Sequence, residues 1–187
     1  MNRQYRIEES GVFLALDVSE KGEVFFLHCQ RRPFAEESIV PEQKEWYRLV
    51  EIQAAGEDCD DHHACKYTGT LPGRRLVFTG LSDERTARGR CITVTQKDGL
   101  TGLKVKSILQ FIGDTGVLES WTEVENLGQG PVGLTYVSSF CLNGLTKDSA
   151  LPWDETARLY VPSNSWYGEF QWNRYSLPCL GMSKVFD

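Results

Sequence analysis

The chain has 187 residues, 41% hydrophobic and 25% charged, which supplies a core for one domain, is too short for a complete barrel enzyme, and argues against both disorder and membrane spanning. Twenty Lys and Arg against 26 Asp and Glu leave a net charge of −6, the wrong sign for holding a polyphosphate backbone, so nucleic acid is not an expected partner. Met1 to Gly11 carries Arg3, Arg6, Glu8 and Glu9 with no apolar run behind them. Neither a signal peptide nor a membrane helix is therefore expected, and the chain is predicted to be cytoplasmic. In that compartment the six cysteines, Cys29, Cys59, Cys65, Cys91, Cys141 and Cys179, read as reduced, partly buried small hydrophobes.

Short runs with period-two alternation, rich in β-branched and aromatic residues, recur between turn residues and predict a β protein. Val12 to Val18 and Glu23 to His28 flank Ser19-Glu20-Lys21-Gly22, whose glycine supplies the left-handed conformation of a tight hairpin. Tyr47 to Ala54, Arg75 to Thr79 and Cys91 to Gln96 are three further strands, separated by loops at Ala55 to Thr70 and Gly80 to Gly89. Leu103 to Ile112, Val117 to Glu125 and Val132 to Cys141 then predict a meander of three long strands, joined at Gly113-Asp114-Thr115-Gly116 and at Asn126 to Gly130. In its middle strand Glu119, Trp121, Glu123 and Glu125 share one face, and Leu118, Ser120, Thr122 and Val124 the other. That is the pattern of an antiparallel sandwich strand with one solvated face. No segment carries a sustained helical period. After Asn143 the texture changes: the segment from Thr146 to Asp187 is rich in Trp, Tyr, Pro and Ser, with short strands expected at Ala157 to Val161 and Trp166 to Trp172.

Several clusters carry chemistry-bearing groups. Cys59-Asp60-Asp61-His62-His63-Ala64-Cys65 gathers thiols, imidazoles and carboxylates in seven residues. Structural zinc sites, however, draw ligand pairs from two separated segments, and no second Cys/His pair exists here, so no metal is assigned. A polar loop at the sandwich rim, or one whose Asp58, Asp61, His62 and His63 hydrogen-bond a ligand or a neighbouring domain, are the other readings. Glu123 and Glu125, with α-carbons about 6.6 Å apart along a strand, have the spacing of an inverting glycosidase pair, but charged residues are also the ordinary content of an exposed sheet face. With only His28, His62 and His63 available and no GxSxG elbow, covalent hydrolase chemistry is not expected. No phosphate-cradling loop precedes a helix, and no cofactor is called for. Trp153, Tyr160, Trp166, Tyr167, Phe170, Trp172 and Tyr175 form an aromatic belt that suits either packing against another domain or stacking on sugar rings.

Within that belt, Asn164-Ser165-Trp166-Tyr167-Gly168-Glu169-Phe170-Gln171-Trp172 resembles the W-x-x-E segment of glycoside hydrolase family 36 α-galactosidases. Glu119 to Gly128 and Leu134 to Phe140 are similar to the strand, turn and strand that precede it there, and Gly56-Glu57-Asp58 with His62, His63 and Lys66 resembles the family's short Gly/Asp-rich motif. The resemblance implies an all-β fold, an antiparallel, galactose mutarotase-like supersandwich, here one domain over 1–187 and incomplete at its C-terminal end. Residues 146–187 would lead toward a catalytic barrel that the chain does not contain. It further implies that the catalytic carboxylates belong to that barrel, that this domain serves assembly and shapes the active-site entrance, and that Asp58, Asp61, His62, His63, Trp166 and Glu169 face substrate or barrel. The implied partners are a galactoside or other carbohydrate, the barrel and further copies of the chain. The alternatives are an autonomous carbohydrate-binding module using Trp153, Trp166 and Trp172, and a mutarotase-like epimerase with His62 or His63 as base.

Overall fold

The computed structural model describes residues 3–36, 44, 46–57, 59, 67–142 and 152–182. The chain divides into two compact units, 1–143 and 144–187, with the division where the composition changes.

In the first unit the strands are β1 Arg3–Glu9, β2 Val12–Val18, β3 Val24–Gln30, β4 Ile52–Ala54, β5 Leu76–Thr86, β6 Gly89–Asp98, β7 Leu103–Ile112, β8 Val117–Asn126 and β9 Leu134–Val137, with one short helix, α1 Leu71–Arg75, before β5. They form a three-stranded sheet in the order β1-β2-β3, a four-stranded sheet in the order β5-β6-β7-β8, and the pair β4-β9. Every pairing is antiparallel. Alternation explains how the sheets meet. Val12, Leu14, Leu16 and Val18 on one face of β2, with Val24 and Phe26 of β3, pack against Ile92, Val94, Leu109 and Phe111 of the larger sheet, which makes the unit a sandwich. A second cluster joins Val50, Ile52, Leu76 and Val105.

The predicted strands at β2 and β7 fall on their observed ranges, and four departures have physical reasons. The charged amino terminus forms β1, because Tyr5 and Ile7 alternate beneath the charges and face the core. The predicted loop from Gly80 is instead the continuation of β5 to Thr86. This exposed edge strand is held by Asp83 with Arg90 at 2.7 Å and Arg85 with Glu9 at 2.6 Å, and its charges are the usual protection of a sheet edge. Of the predicted strand 47–54, only Ile52–Ala54 is strand, with an isolated bridge from Arg48 to Phe25. The third meander strand is cut to four residues and pairs with β4, Ile52 opposite Val137, rather than with β8. There the β8 hydroxyls of Ser120 and Thr122 donate to the carbonyls of Ser139 and Ser138, each at 2.7 Å, so side chains replace a backbone ladder. Between β7 and its neighbours Gly102 adopts φ 77° and lies so near Gly128 that a Cβ would stand 2.7 Å from the Gly128 Cα. Neither position has room for a side chain.

The second unit holds the helical turn α2 Trp153–Thr156, the hairpin β10 Arg158–Ser165 and β11 Gly168–Ser176, and a 3-10 turn at Pro178–Leu180. The hairpin register runs from Arg158 opposite Ser176 to Ser165 opposite Gly168, so Trp166 and Tyr167 form its turn and do not start a strand. Among the described residues no helix is long and apolar enough to cross a membrane.

Candidate functional site

Of the six residues expected to face substrate, Asp58, Asp61, His62 and His63 lie outside the described residues, whereas Trp166 and Glu169 sit at and beside the tip of the β10-β11 hairpin. Trp166 is 88% exposed and Tyr167 90%. Their rings meet edge to face with centroids 5.6 Å apart, and Phe170 and Trp172 repeat the arrangement at 5.3 Å. Two bulky residues take left-handed backbone here, Tyr167 at φ 61° and Phe170 at φ 58°, which non-glycine residues adopt at a cost. The register slips at Ser163/Ser165, and the Asn164 side-chain oxygen accepts from the Phe170 N–H at 2.6 Å, fixing the bulge. The hairpin thus holds a row of aromatic rings in solvent at the expense of backbone strain.

The loop predicted to carry the other four residues is anchored at both feet. At one foot Arg75 donates to both carboxylate oxygens of Glu57 and, at 2.9 Å, to Asp98. The hydrogen bonds it donates to Glu57 and Asp98 raise the arginine above its usual value. Burial pushes the Asp98 carboxyl up, but hydrogen bonds from Arg75, the Leu100 N–H and the Thr101 hydroxyl outweigh it and leave the group below the ordinary aspartate range. At the other foot the carboxylate of Glu51, 2% exposed, accepts from the N–H groups of Gly69 at 3.0 Å and Thr70 at 3.1 Å and from the Thr70 hydroxyl at 2.6 Å. The same hydroxyl accepts from Gly73 N–H and caps α1. Tyr67, just inside this foot, packs against Tyr136 of β9 with centroids 4.7 Å apart and ring planes tilted by 42°. Sequence reasoning missed Glu51 and Arg75; the one local signal was an acid set between the apolar Val50 and Ile52.

The remaining candidates have structural partners. Glu123 and Glu125 point to solvent, 56% and 57% exposed as side chains, with Lys106 and Lys104 across the sheet at 3.8 and 3.0 Å. Trp121 Nε1 donates to Glu123 at 3.3 Å. This is a cross-strand charge ladder on a wet face. His28 is buried, and its Nε2 donates to the Arg32 carbonyl at 2.7 Å. Cys59 makes an isolated bridge with Thr70, Cys65 lies outside the described residues, and among the described residues no group of three or more His, Cys, Asp or Glu could hold a metal ion.

Two antiparallel sheets closed over one core, with a separate aromatic hairpin, place the chain in the class of β-sandwich proteins. It is similar to the crystal structure of the α-galactosidase from Lactobacillus brevis, with a TM-score of 0.63 and 13% sequence identity, over 94% of this chain and 27% of that one. The likeness is one of fold, and the chain spans about a quarter of that protein's length. No family model and no curated protein matches the chain.

Proposed function

We propose that residues 1–187 act as one non-catalytic β-sandwich domain of an α-galactosidase-type glycoside hydrolase, serving assembly and shaping the entrance to the active site. The observation that carries this reading is the fold-level likeness to a quarter of an α-galactosidase. In such a protein the nucleophile and the acid/base, about 5 to 5.5 Å apart for a retaining reaction, come from the barrel. The part assigned to this chain is to present groups to the barrel and to a second copy of itself. Trp166, Tyr167, Phe170 and Trp172 supply the docking surface, each ring offering roughly 150–250 Å² to a partner, and Glu169 gives that surface a charged group. Asp58, Asp61, His62 and His63 are the groups we assign to the galactoside, carried on a loop whose feet are fixed by Glu51 and Arg75.

The hairpin rings favour protein docking over sugar stacking. Each contacting pair stands nearly perpendicular, at 87° and 84°, whereas a sugar face needs one flat platform. A carbohydrate-binding module reading through Trp153, Trp166 and Trp172 is therefore second, and the epimerase reading rests on His62 or His63, which lie outside the described residues. The test is activity: the whole gene product should release 4-nitrophenol from an aryl α-galactoside, and replacing both Trp166 and Trp172 by Ala should weaken assembly in gel filtration. A gene product inert toward α-galactosides contradicts the proposal.

A further inference from the structure

The outer face of the smaller sheet carries a cavity with no role so far. Gln4, Arg6 and Glu8 alternate outward along β1 while Tyr5 and Ile7 turn to the core, and Glu8 stands directly opposite Phe13 of β2. With Pro33 and Phe34 from the chain after β3, Arg6, Glu8 and Phe13 line a cavity of about 330 Å³. That is the lower end of the range for ligand pockets, roughly 300–1,000 Å³, and suits a single small ring better than an extended chain.

The charges decide what kind of ring. Arg6 is already neutralised: it donates to Glu36 at 2.6 Å and to Gln4 at 2.7 Å, and its guanidinium lies 5.5 Å from the Phe34 ring centroid. An anion would find this cation occupied and the Glu8 carboxylate repelling it. A cation seeking the aromatic faces would meet Arg6 on Phe34. Among the described residues the Glu8 carboxylate has no hydrogen-bond partner, so it remains as a strong acceptor at the rim, able to take two adjacent O–H groups. Phe13 supplies an apolar face, while Phe34, whose ring carries Arg6 and meets His28 at a centroid distance of 5.5 Å, serves as a side wall. We propose that this cavity binds one neutral pyranose, with its C–H face against Phe13 and its hydroxyls donating to Glu8. The choice of a galactoside as first probe rests on the function proposed above; the preference for a neutral polyol does not.

The test is a calorimetric or NMR titration of the chain 1–187 with methyl α-galactopyranoside. We expect saturable binding that weakens about tenfold in Glu8→Gln, as for loss of one hydrogen bond to a charged group, and at least as much in Phe13→Ala, while Glu125→Gln on the other sheet binds as the parent does. Glu8 is exposed, so Glu8→Gln keeps the fold. Absence of saturable binding overturns the proposal, as does binding that survives Glu8→Gln and Phe13→Ala or is lost in Trp172→Ala alone. The aryl α-galactosidase activity of the whole gene product is measured separately. An active product whose sandwich takes no sugar rejects this cavity and leaves the domain assignment standing; an inactive product with a cavity that binds does the reverse.

Discussion

The sandwich of the first unit and the hairpin of the second use aromatic residues in opposite ways. Phe26 and Phe111 are fully buried between the two sheets, each touching the apolar faces of strands far apart in sequence. Trp166, Tyr167, Phe170 and Trp172 stand in solvent, and two of the four occupy backbone conformations that a bulky side chain resists. The first set is explained by the fold it stabilises. The second set gains little from its own unit, and this contrast is what supports the proposal of the hairpin as a docking element.

Substitutions can break or sharpen the contrast. The largest effect is expected from Phe111→Ala, which opens a cavity between the sheets and should lower the unfolding free energy by about 3–5 kcal/mol in urea titrations. Glu51→Ala leaves the Gly69 and Thr70 donors buried without an acceptor, and a loss of about 2–3 kcal/mol is expected, together with faster amide exchange at those two residues; unchanged exchange would show that the loop foot does not depend on this carboxylate. The anchor at Asp98 predicts a pH dependence. Its folded carboxyl titrates below the unfolded value of about 3.9, so the unfolded state binds more protons in that interval and stability rises with pH there. The contribution is complete above the unfolded value and is lost as pH falls through the folded one. Asp98→Asn should therefore flatten the acid limb of a stability profile taken below about pH 4. In the hairpin, Tyr167→Gly relieves a left-handed residue and should stabilise the unit by about 1 kcal/mol while weakening assembly. Least of all, Trp172→Ala should change unfolding by under about 0.5 kcal/mol; a loss comparable with that of Phe111→Ala would remove the distinction between the two regions.

What could be read in the sequence was local. The alternation of Val12 to Val18 and of Leu103 to Ile112 sets each strand's buried face by its own period, and both ranges are observed. The partner of Leu134–Val137 could not be read that way, because it is set by Ile52–Ala54 some 80 residues earlier and by hydroxyls of β8. Charge concealed β1 and the second half of β5, where the ion pairs that hold the edge join residues as distant as Glu9 and Arg85. At the candidate site the aromatic belt was legible as composition, yet its tip was misplaced by a strand assigned from Trp166 onward. No propensity rule puts a tyrosine with positive φ in a two-residue turn. Glu51 and Arg75 were illegible as anchors because each acts through a fold-determined partner, Thr70 and the pair Glu57 and Asp98.

The most direct test is hydrolysis of an aryl α-galactoside by the purified 187-residue chain, followed beside its Glu123→Gln variant. We expect no release above buffer from either protein, since the carboxylates of β8 are exposed and paired with Lys104 and Lys106. Sustained turnover that disappears in Glu123→Gln would place catalysis inside this sandwich and contradict its assignment as a supporting domain.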